Sequence, residues 1–252
     1  MCLILFSWQS HPRYSLVLAA NRDEFHQRPS AAAQFWDDEP EILAGRDLLA
    51  GGTWLGVTRS GRFAAITNYR EPSAPELPLE RSRGHLVRDY LDSGTTPPDY
   101  AQEVASAGES YRGFNLLLGT PKELSYASNR GAGPLAISAG SHGLSNHLLD
   151  TDWPKVHSGR ERLEAILQDE QPETEAFFDL LTDKTLTPGT IPEDLATSLA
   201  PERLMKHYFI VSPVYGTRCS TVLLVGRDGS VHFHERQFDP TGQAIETRSF
   251  QF

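Results

Sequence analysis

Two apolar runs joined by a short polar turn open the chain, MCLILFSWQSHPRYSLVLAANRDEF. Residues 2–8 and 14–20 are rich in Leu, Ile and Val, and the SHPR segment between them has the polar, proline-containing chemistry of a turn. We therefore predict a β-hairpin. With its turn centred between residues 11 and 12, antiparallel pairing joins residues whose numbers sum to about 23. Cys2 then lies opposite Asn21, beside Arg22 and Asp23.

The rest of the chain alternates between short strands and paired helices. Gly51-Gly52 indicates a turn or a close backbone approach, and Ser82 is the predicted N-cap of the first helix. The segment 185–201, rich in Thr and Pro, is either a mobile cover or a plain connection, and we favour the connection. Strands are predicted at 54–58, 63–68, 114–118, 124–127, 135–138, 220–225 and 230–235, with tight turns at RSGR and GRDG, and helices at 82–92, 98–107, 153–167 and 173–181.

This order of elements predicts a single α+β domain spanning residues 1–252. Consecutive strands joined by hairpins, with helices grouped in pairs, indicate an antiparallel sandwich rather than βαβ units. The hydrophobic content of 39% and the charged content of 22% are those of ordinary globular proteins.

Composition excludes several classes of function. The net charge of −10 and the lack of a basic stripe argue against nucleic acid as a partner. No apolar run approaches the roughly 20 residues of a membrane span, and two cysteines point to a reducing, cytoplasmic location. The sequence has no P-loop, Rossmann glycine motif, HExxH, CxxC pair or GxSxG elbow.

The open end of the predicted hairpin brings a thiol, a guanidinium and a carboxylate together. An arginine beside a thiol stabilises the thiolate, and a carboxylate can orient an arginine or an amine. Because initiator methionine is removed before a small second residue, the mature chain can begin at Cys2, whose α-amine would serve as the base for its own thiol. The alternative is that Cys2 is a small buried hydrophobe and that residues 21–24 form a polar turn.

Six short segments together resemble the NRDE family, also called transport and Golgi organisation protein 2. They are ANRDE at 20–24, GGTWLGV at 51–57, TNYR at 67–70, GFNLLLG at 113–119, LSN at 144–146 and TRCSTV at 217–222. The resemblance runs from residue 1 to about residue 235. That family is grouped with the N-terminal nucleophile hydrolases, and its start resembles the cysteine branch that contains bile salt hydrolases, penicillin V acylase and acid ceramidase-like amidases. The resemblance implies a four-layer αββα sandwich that cleaves or transfers an amide-linked acyl group.

The resemblance also implies catalytic roles. Cys2 would be the nucleophile and Asp23 would contact its α-amine. Asn68 would shape the oxyanion site, the Asn146 amide would donate to the oxyanion, and Arg218 would lie near the nucleophile. Each asparagine could instead be a strand-end or turn residue, and Arg218 could form a structural salt bridge.

The match is looser at one arginine, and a second function remains open. In the hydrolases the arginine precedes the Asn-x-Asp pattern, where this chain has Ala20, so the role of Arg22 is not fixed by the resemblance.

A non-enzymatic carrier of haem, acyl-CoA or another lipid would use the same cavity, with no cofactor required, and Arg22 would then meet a carboxylate or phosphate. A scaffold that has lost its activity is a third alternative. The predicted ligand-binding residues are Asn21, Arg22, Glu24, Trp54 and His147.

His232 and His234 share one face of a predicted strand, which is a spacing that can bind a metal. No third ligand is evident in the sequence. We therefore predict a sheet edge there and no metal site.

Overall fold

Thirteen strands and four helices form the structure, a computed structural model that describes residues 2–71, 81–185 and 206–252. In chain order they are β1 Leu3–Trp8, β2 Tyr14–Phe25, β3 Ser30–Phe35, β4 Ile42–Asp47, β5 Leu55–Thr58, β6 Phe63–Asn68, α1 Gly84–Asp92, α2 Pro97–Ser106, β7 Phe114–Gly119, β8 Leu124–Ser128, β9 Leu135–Ala136, β10 Gly140–Leu144, α3 Pro154–Ile166, α4 Thr174–Thr182, β11 Tyr215–Gly226, β12 Val231–Phe238 and β13 Ala244–Gln251.

The elements build four layers. A six-stranded sheet has the order β10-β1-β2-β11-β12-β13, and a seven-stranded sheet runs from β3 to β9 in chain order. All strand pairs are antiparallel. Helices α3 and α4 pack on the six-stranded sheet, and α1 and α2 pack on the seven-stranded sheet. The predicted αββα sandwich is therefore confirmed.

Alternation along β2 decides which layer each side chain enters. Leu16, Leu18 and Ala20 belong to the core between the sheets, whereas Val17 and Ala19 pack against α3 and α4. Because successive side chains of a strand point to opposite faces, the even-numbered Arg22 continues the inner series, and Asn21 and Asp23 continue the outer one.

The first hairpin forms as predicted, with a register that differs by one residue. Leu3 pairs with Asn21, so paired numbers sum to 24 rather than 23. Gln9 has a positive φ of 51° and its N–H donates to the Ser15 carbonyl at 2.8 Å, which moves the centre of the turn by half a residue. The polar cluster is also strand rather than turn, because β2 continues to Phe25 in its pairing with β11.

Helix and turn predictions agree closely with the structure. Each predicted helix lies within two residues of an observed one, although α1 begins at Gly84 with Arg83 as its N-cap instead of Ser82. Gly51 has a φ of +80°, and a Cβ on Gly52 would lie 2.4 Å from the Gly84 carbonyl carbon, so both predicted roles of this pair are confirmed. Sequence patterns missed β3, β4, β10 and β13. The segment 185–201 lies, except for Thr185, outside the described residues.

No helix in the described ranges is long and apolar enough to cross a membrane.

Candidate functional site

A cavity of about 290 Å³ opens where the two sheets and α1 meet. The end of β2, the start of β1 and the end of β6 form its base, and the backbone ahead of α1 forms its rim. Its lining carries both signs of charge and a single thiol among the described residues: Cys2, Arg22, Asp23, Glu24, Arg28, Asp47, Ala50, Thr53, Trp54, Ile66, Asn68, Arg81, Ser82, Arg83 and Gly84.

Cys2 is held at the cavity by its own backbone. Its N–H donates to Oδ1 of Asn146 at 3.0 Å, and its carbonyl accepts from the Ser145 hydroxyl at 2.7 Å. The residue is partly exposed, while burial of its thiol raises the thiol pKa; the nearby Asp23 charge raises it further, and the Asp23 N–H and Arg22 act in the opposite direction. The Cys2 backbone is thus fixed by Ser145 and Asn146, and the residue lines the cavity.

Asn146 links the two predicted asparagines. It is buried at the end of β10, and its Nδ2 donates to the Asn68 carbonyl at 2.7 Å while its Oδ1 accepts from Cys2. In this arrangement the Asn146 amide positions the Cys2 nitrogen and the end of β6. Asn68 itself is exposed and its side chain lines the cavity, so it is the asparagine that a bound carbonyl would meet.

Asp23 is the buried carboxylate of the site. Its Oδ1 accepts from the Thr217 hydroxyl at 2.7 Å, and the Tyr215 hydroxyl donates to its carbonyl at 3.0 Å. Burial raises the pKa of this carboxyl, against the lowering effects of the chain's amino terminus, the charge of Lys155, the Thr217 hydrogen bond and Arg22. Its carboxylate therefore depends on nearby cations to stay ionised.

Arg22 is a buried cation with an unsatisfied nitrogen. The residue is 6% exposed, its guanidinium carbon lies 4.3 Å from the centre of the Trp54 ring, and its Nη1 has no hydrogen-bond partner in the described part of the chain. Both Arg22 and Trp54 line the cavity. Stacking on an aromatic face stabilises the guanidinium but leaves the hydrogen bond of Nη1 for a ligand.

The rim of the cavity is built from paired charges. Arg28 donates to Oδ2 of Asp47 at 2.6 Å and lies 3.9 Å from Glu24. Arg83 donates to the Gly113 carbonyl at 3.0 Å and caps α1. The rim charges are thus largely satisfied, in contrast to Arg22 at the base.

Three of the predicted residues use their side chains away from the cavity. Asn21 faces the helices and donates through Nδ2 to the carbonyls of Leu181 and Tyr208, both at 2.8 Å. His147 contacts the Tyr69 hydroxyl at 2.9 Å and the Thr151 hydroxyl at 2.9 Å. Arg218 donates through Nη1 to the carbonyls of Phe25, His26 and Arg28 at 3.0, 3.2 and 3.2 Å. It thereby holds the chain between β2 and β3.

Sequence reasoning missed Lys155. This lysine lies in the first turn of α3 and is completely buried; burial lowers the pKa of its amine, while the charges of Asp23 and Cys2 act to raise it. A signal existed in the sequence, because Lys155, Gly159 and Leu163 are spaced four apart on the buried stripe of the helix. A lysine on an apolar stripe is uncommon unless a partner is near.

The histidines of β12 do not lie at the predicted sheet edge, because β12 pairs with β11 on one side and with β13 on the other. His234 contacts the Ser249 hydroxyl of β13 at 2.9 Å, and no group of metal-binding side chains occurs among the described residues.

A family model described as Transport and Golgi organisation 2 matches residues 1–240. The chain belongs to this family. Among curated members, the human Transport and Golgi organization protein 2 homolog is 37% identical over 275 residues, and the mouse homolog is 36% identical over 274 residues. Each alignment covers 100% of this chain and 99% of the relative.

A solved structure shares the fold of this family member. A mutant conjugated bile acid hydrolase from Clostridium perfringens superposes with a TM-score of 0.50, covering 100% of this chain and 97% of that one at 9% identity. At such low identity the likeness shows the fold alone.

Proposed function

We propose that the chain is a cysteine N-terminal nucleophile hydrolase or acyltransferase that acts on an amide-linked acyl group. One observation carries the proposal: the nitrogen of Cys2 is held by Asn146, and Cys2 lines a cavity together with Asp23, Arg22 and Asn68. An N-terminal nucleophile needs a fixed amine beside its reactive group. The hydrogen-bonded Cys2 nitrogen and the buried Asp23 carboxylate fit that need.

In the proposed reaction, removal of Met1 frees the Cys2 α-amine. The amine takes the thiol proton as the sulfur attacks the acyl carbonyl, and the Asn68 side chain donates to the developing oxyanion. The same proton passes to the leaving amine as the amide bond breaks, which leaves a thioester on Cys2. Water or an acceptor amine then attacks the thioester and restores the thiol.

The test joins a mass measurement to an activity measurement. Intact mass spectrometry of the purified chain should show loss of Met1, and a series of fatty acyl p-nitroanilides should release nitroaniline. Cys2→Ser should lower that release at least a hundredfold, because a serine hydroxyl is a much weaker nucleophile than a thiolate at neutral pH. Cys219→Ala is the matched control, because this second cysteine is buried on β11 away from the cavity lining.

A chain that retains Met1 would contradict the mechanism, because the Cys2 nitrogen is then part of a peptide bond and cannot act as a base. Equal activity of Cys2→Ser and the unchanged protein would contradict the assignment of Cys2.

Nη1 of Arg22, which has no hydrogen-bond partner among the described residues, favours a second candidate, a carrier of an anionic ligand such as acyl-CoA or haem. A carboxylate or phosphate placed at the cavity base would satisfy that nitrogen. Calorimetry with acyl-CoA and an absorbance titration with haem test this candidate, with Arg22→Met as the binding-deficient variant. Saturable binding without turnover would favour the carrier, and no saturable binding of either ligand would remove it.

A further inference from the structure

Lys155 of α3 carries a fully buried amine. It is 0% exposed, and its Nζ has no hydrogen-bond partner among the described residues. Its nearest aromatic contact is weak, with Nζ 5.9 Å from the centre of the Trp153 ring. Burying an amine without partners costs several kcal/mol. Packing alone therefore does not explain a lysine here, since methionine would fill similar space without that cost.

Close packing of α3 fixes the position of this amine. A Cβ on Gly159 would lie 2.8 Å from Cδ1 of Leu5 on β1, and a Cβ on Gly143 of β10 would lie 2.6 Å from Cγ1 of Val156. The two glycines allow α3 to approach the sheet at the strands that flank Cys2 and Asn146. The first turn of α3 is thus packed closely against the outer face of the six-stranded sheet, behind the Cys2 site.

The charged groups that face Lys155 belong to the proposed site. They are Asp23 on β2 and Cys2 ahead of β1, and both favour the charged amine while burial lowers its pKa. No charged group of α4 or β10, the other elements packed on α3, acts on it in the described part of the chain. In return, Lys155 counters the burial that raises the Asp23 pKa. Lys155 and Asp23 therefore interact through their charges, without a direct hydrogen bond between them in the described part of the chain.

We propose that Lys155 is a positioning residue that acts, as a cation, as the internal counter-ion of Asp23 in the Cys2 site. The inference rests on the proposed function, because it assigns to Asp23 the task of holding the Cys2 α-amine. With Lys155 charged, Asp23 remains ionised and can orient the amine, yet its negative charge is balanced. The amine therefore releases its proton readily and remains available as the base for the thiol.

Removal of the lysine charge takes one cation from the site, while the amino terminus, the Thr217 hydrogen bond and Arg22 continue to favour the ionised form of Asp23. A more negative site holds protons more tightly at the α-amine and at the thiol. Formation of the Cys2 thiolate therefore moves to higher pH. The other charges that act on this thiol are the amino terminus of the chain and Asp23 and Arg22 on β2, and all three remain in a Lys155 variant.

The experiment measures the rate of alkylation of Cys2 by iodoacetamide from pH 5 to pH 10 in the full chain. Labelling is read on the N-terminal peptide by mass spectrometry, so that Cys219 does not interfere. Lys155→Met should raise the midpoint of the rate profile by about one pH unit, which makes labelling about tenfold slower below the midpoint. Lys155→Arg keeps the charge and should leave the midpoint near that of the unchanged protein.

Leu163→Ala is the control for disturbed packing, because it removes a fully buried side chain from the same helix. It should lower thermal stability without moving the midpoint. Lys155→Gln provides a second uncharged variant, and its midpoint should agree with that of Lys155→Met.

An unchanged midpoint in folded Lys155→Met, or labelling that slows equally at every pH, overturns the proposal. Failure of both uncharged variants to fold, while Leu163→Ala folds, would assign Lys155 a structural role and overturn it as well. Alkylation requires no turnover, so these outcomes are independent of the proposed hydrolase activity. That activity is judged by loss of Met1 and by acyl release.

Discussion

Two buried polar clusters meet at the loop that follows β10, and they differ in how fully they are hydrogen-bonded. The Asn115 cluster comprises Thr67, Asn115, Tyr126 and the carbonyls of Ser145 and His147. Asn115 donates to the Thr67 hydroxyl at 3.1 Å and to the His147 carbonyl at 2.9 Å, and accepts from the Tyr126 hydroxyl at 2.7 Å. Thr67 in turn donates to the Ser145 carbonyl at 2.6 Å.

The Cys2 cluster is made of the partly exposed Cys2 and the buried residues Arg22, Asp23, Lys155 and Thr217, and its hydrogen bonding is incomplete. Arg22 Nη1 and Lys155 Nζ have no hydrogen-bond partner in the ranges that the structure describes. Its one completed side-chain pair is the hydrogen bond from Thr217 to Asp23. The cluster thus contains two cations and one carboxylate with unused hydrogen-bonding capacity.

The difference separates a structural role from a chemical one. Buried polar groups in folded proteins are nearly always satisfied, and an unsatisfied group costs about 1–3 kcal/mol. A complete cluster such as that of Asn115 joins the β6–β7 pair to the loop after β10 and rigidifies it. An incomplete cluster beside a cavity is where perturbed pKa values and ligand chemistry are found.

The largest expected effect is that of breaking the complete cluster. Asn115→Ala removes the acceptor of the Tyr126 hydroxyl and two donated hydrogen bonds, and leaves buried groups unsatisfied. We expect the free energy of unfolding to fall by about 3 kcal/mol, measured by urea denaturation. Cys2 alkylation in the absence of denaturant should keep its pH midpoint.

Gln34→Ala is the matched control, because Gln34 is an exposed amide on β3 of the same sheet. Its effect should stay within about 0.5 kcal/mol. A loss below 1 kcal/mol in Asn115→Ala would show that the cluster does not stabilise the fold, and the comparison would fail.

Local patterns predicted the elements whose apolar residues follow one clear period. The first hairpin and all four helices were found in this way. β13 was missed because it is an exposed strand, AIETRSFQ, whose side chains are mostly polar, so its pairing with β12 and not its composition makes it a strand. β3 was missed because its Ala-rich sequence has little strand preference.

The site was predictable only in part, and for a related reason. The hairpin register brought Cys2 close to Asp23 from sequence alone, even with a shift of one residue. Which face a side chain enters was not predicted, so Asn21 was expected at the ligand although alternation turns it toward the helices. Lys155 lies on a helix more than 130 positions after Asp23 in the sequence, and no local pattern shows which strand that helix covers.

A smaller effect is expected from simplifying the incomplete cluster at Arg22. Arg22→Met removes the cation over Trp54 and its unsatisfied nitrogen, so the free energy of unfolding should stay the same or rise by up to about 1 kcal/mol. Because Arg22 lowers the pKa of the Cys2 thiol, the midpoint of Cys2 alkylation should rise by about half a pH unit.

Arg46→Met is the control for loss of a stacked arginine, because Arg46 lies 4.3 Å from the Trp36 ring on the outer side of the seven-stranded sheet. It should leave the alkylation midpoint unchanged. A loss of more than 2 kcal/mol in Arg22→Met would mean that Arg22 holds the fold together, which would remove the contrast between the clusters.

The smallest effect is expected at a satisfied pair that is only half-buried, His142 and Asp150 beside the edge strand β10. Nδ1 of His142 lies 2.7 Å from Oδ2 of Asp150, and this hydrogen bond raises the histidine pKa. Burial opposes ionisation of Asp150, but hydrogen bonds from His142 and the Gly143 N–H lower its pKa overall.

The contribution of His142 to the free energy of unfolding is complete below the ordinary histidine pKa of about 6.5, and it is lost as the pH rises through the raised pKa. The contribution of Asp150 to the free energy of unfolding is present above about pH 3.9, and it is lost as the pH falls through the lowered pKa.

His142→Gln should therefore lower the free energy of unfolding by about 0.5 kcal/mol at pH 5.5 and by less at pH 8.5, measured by urea denaturation at both pH values. A larger loss at pH 8.5 than at pH 5.5 would reverse the sign and show that His142 stabilises the fold as a neutral ring.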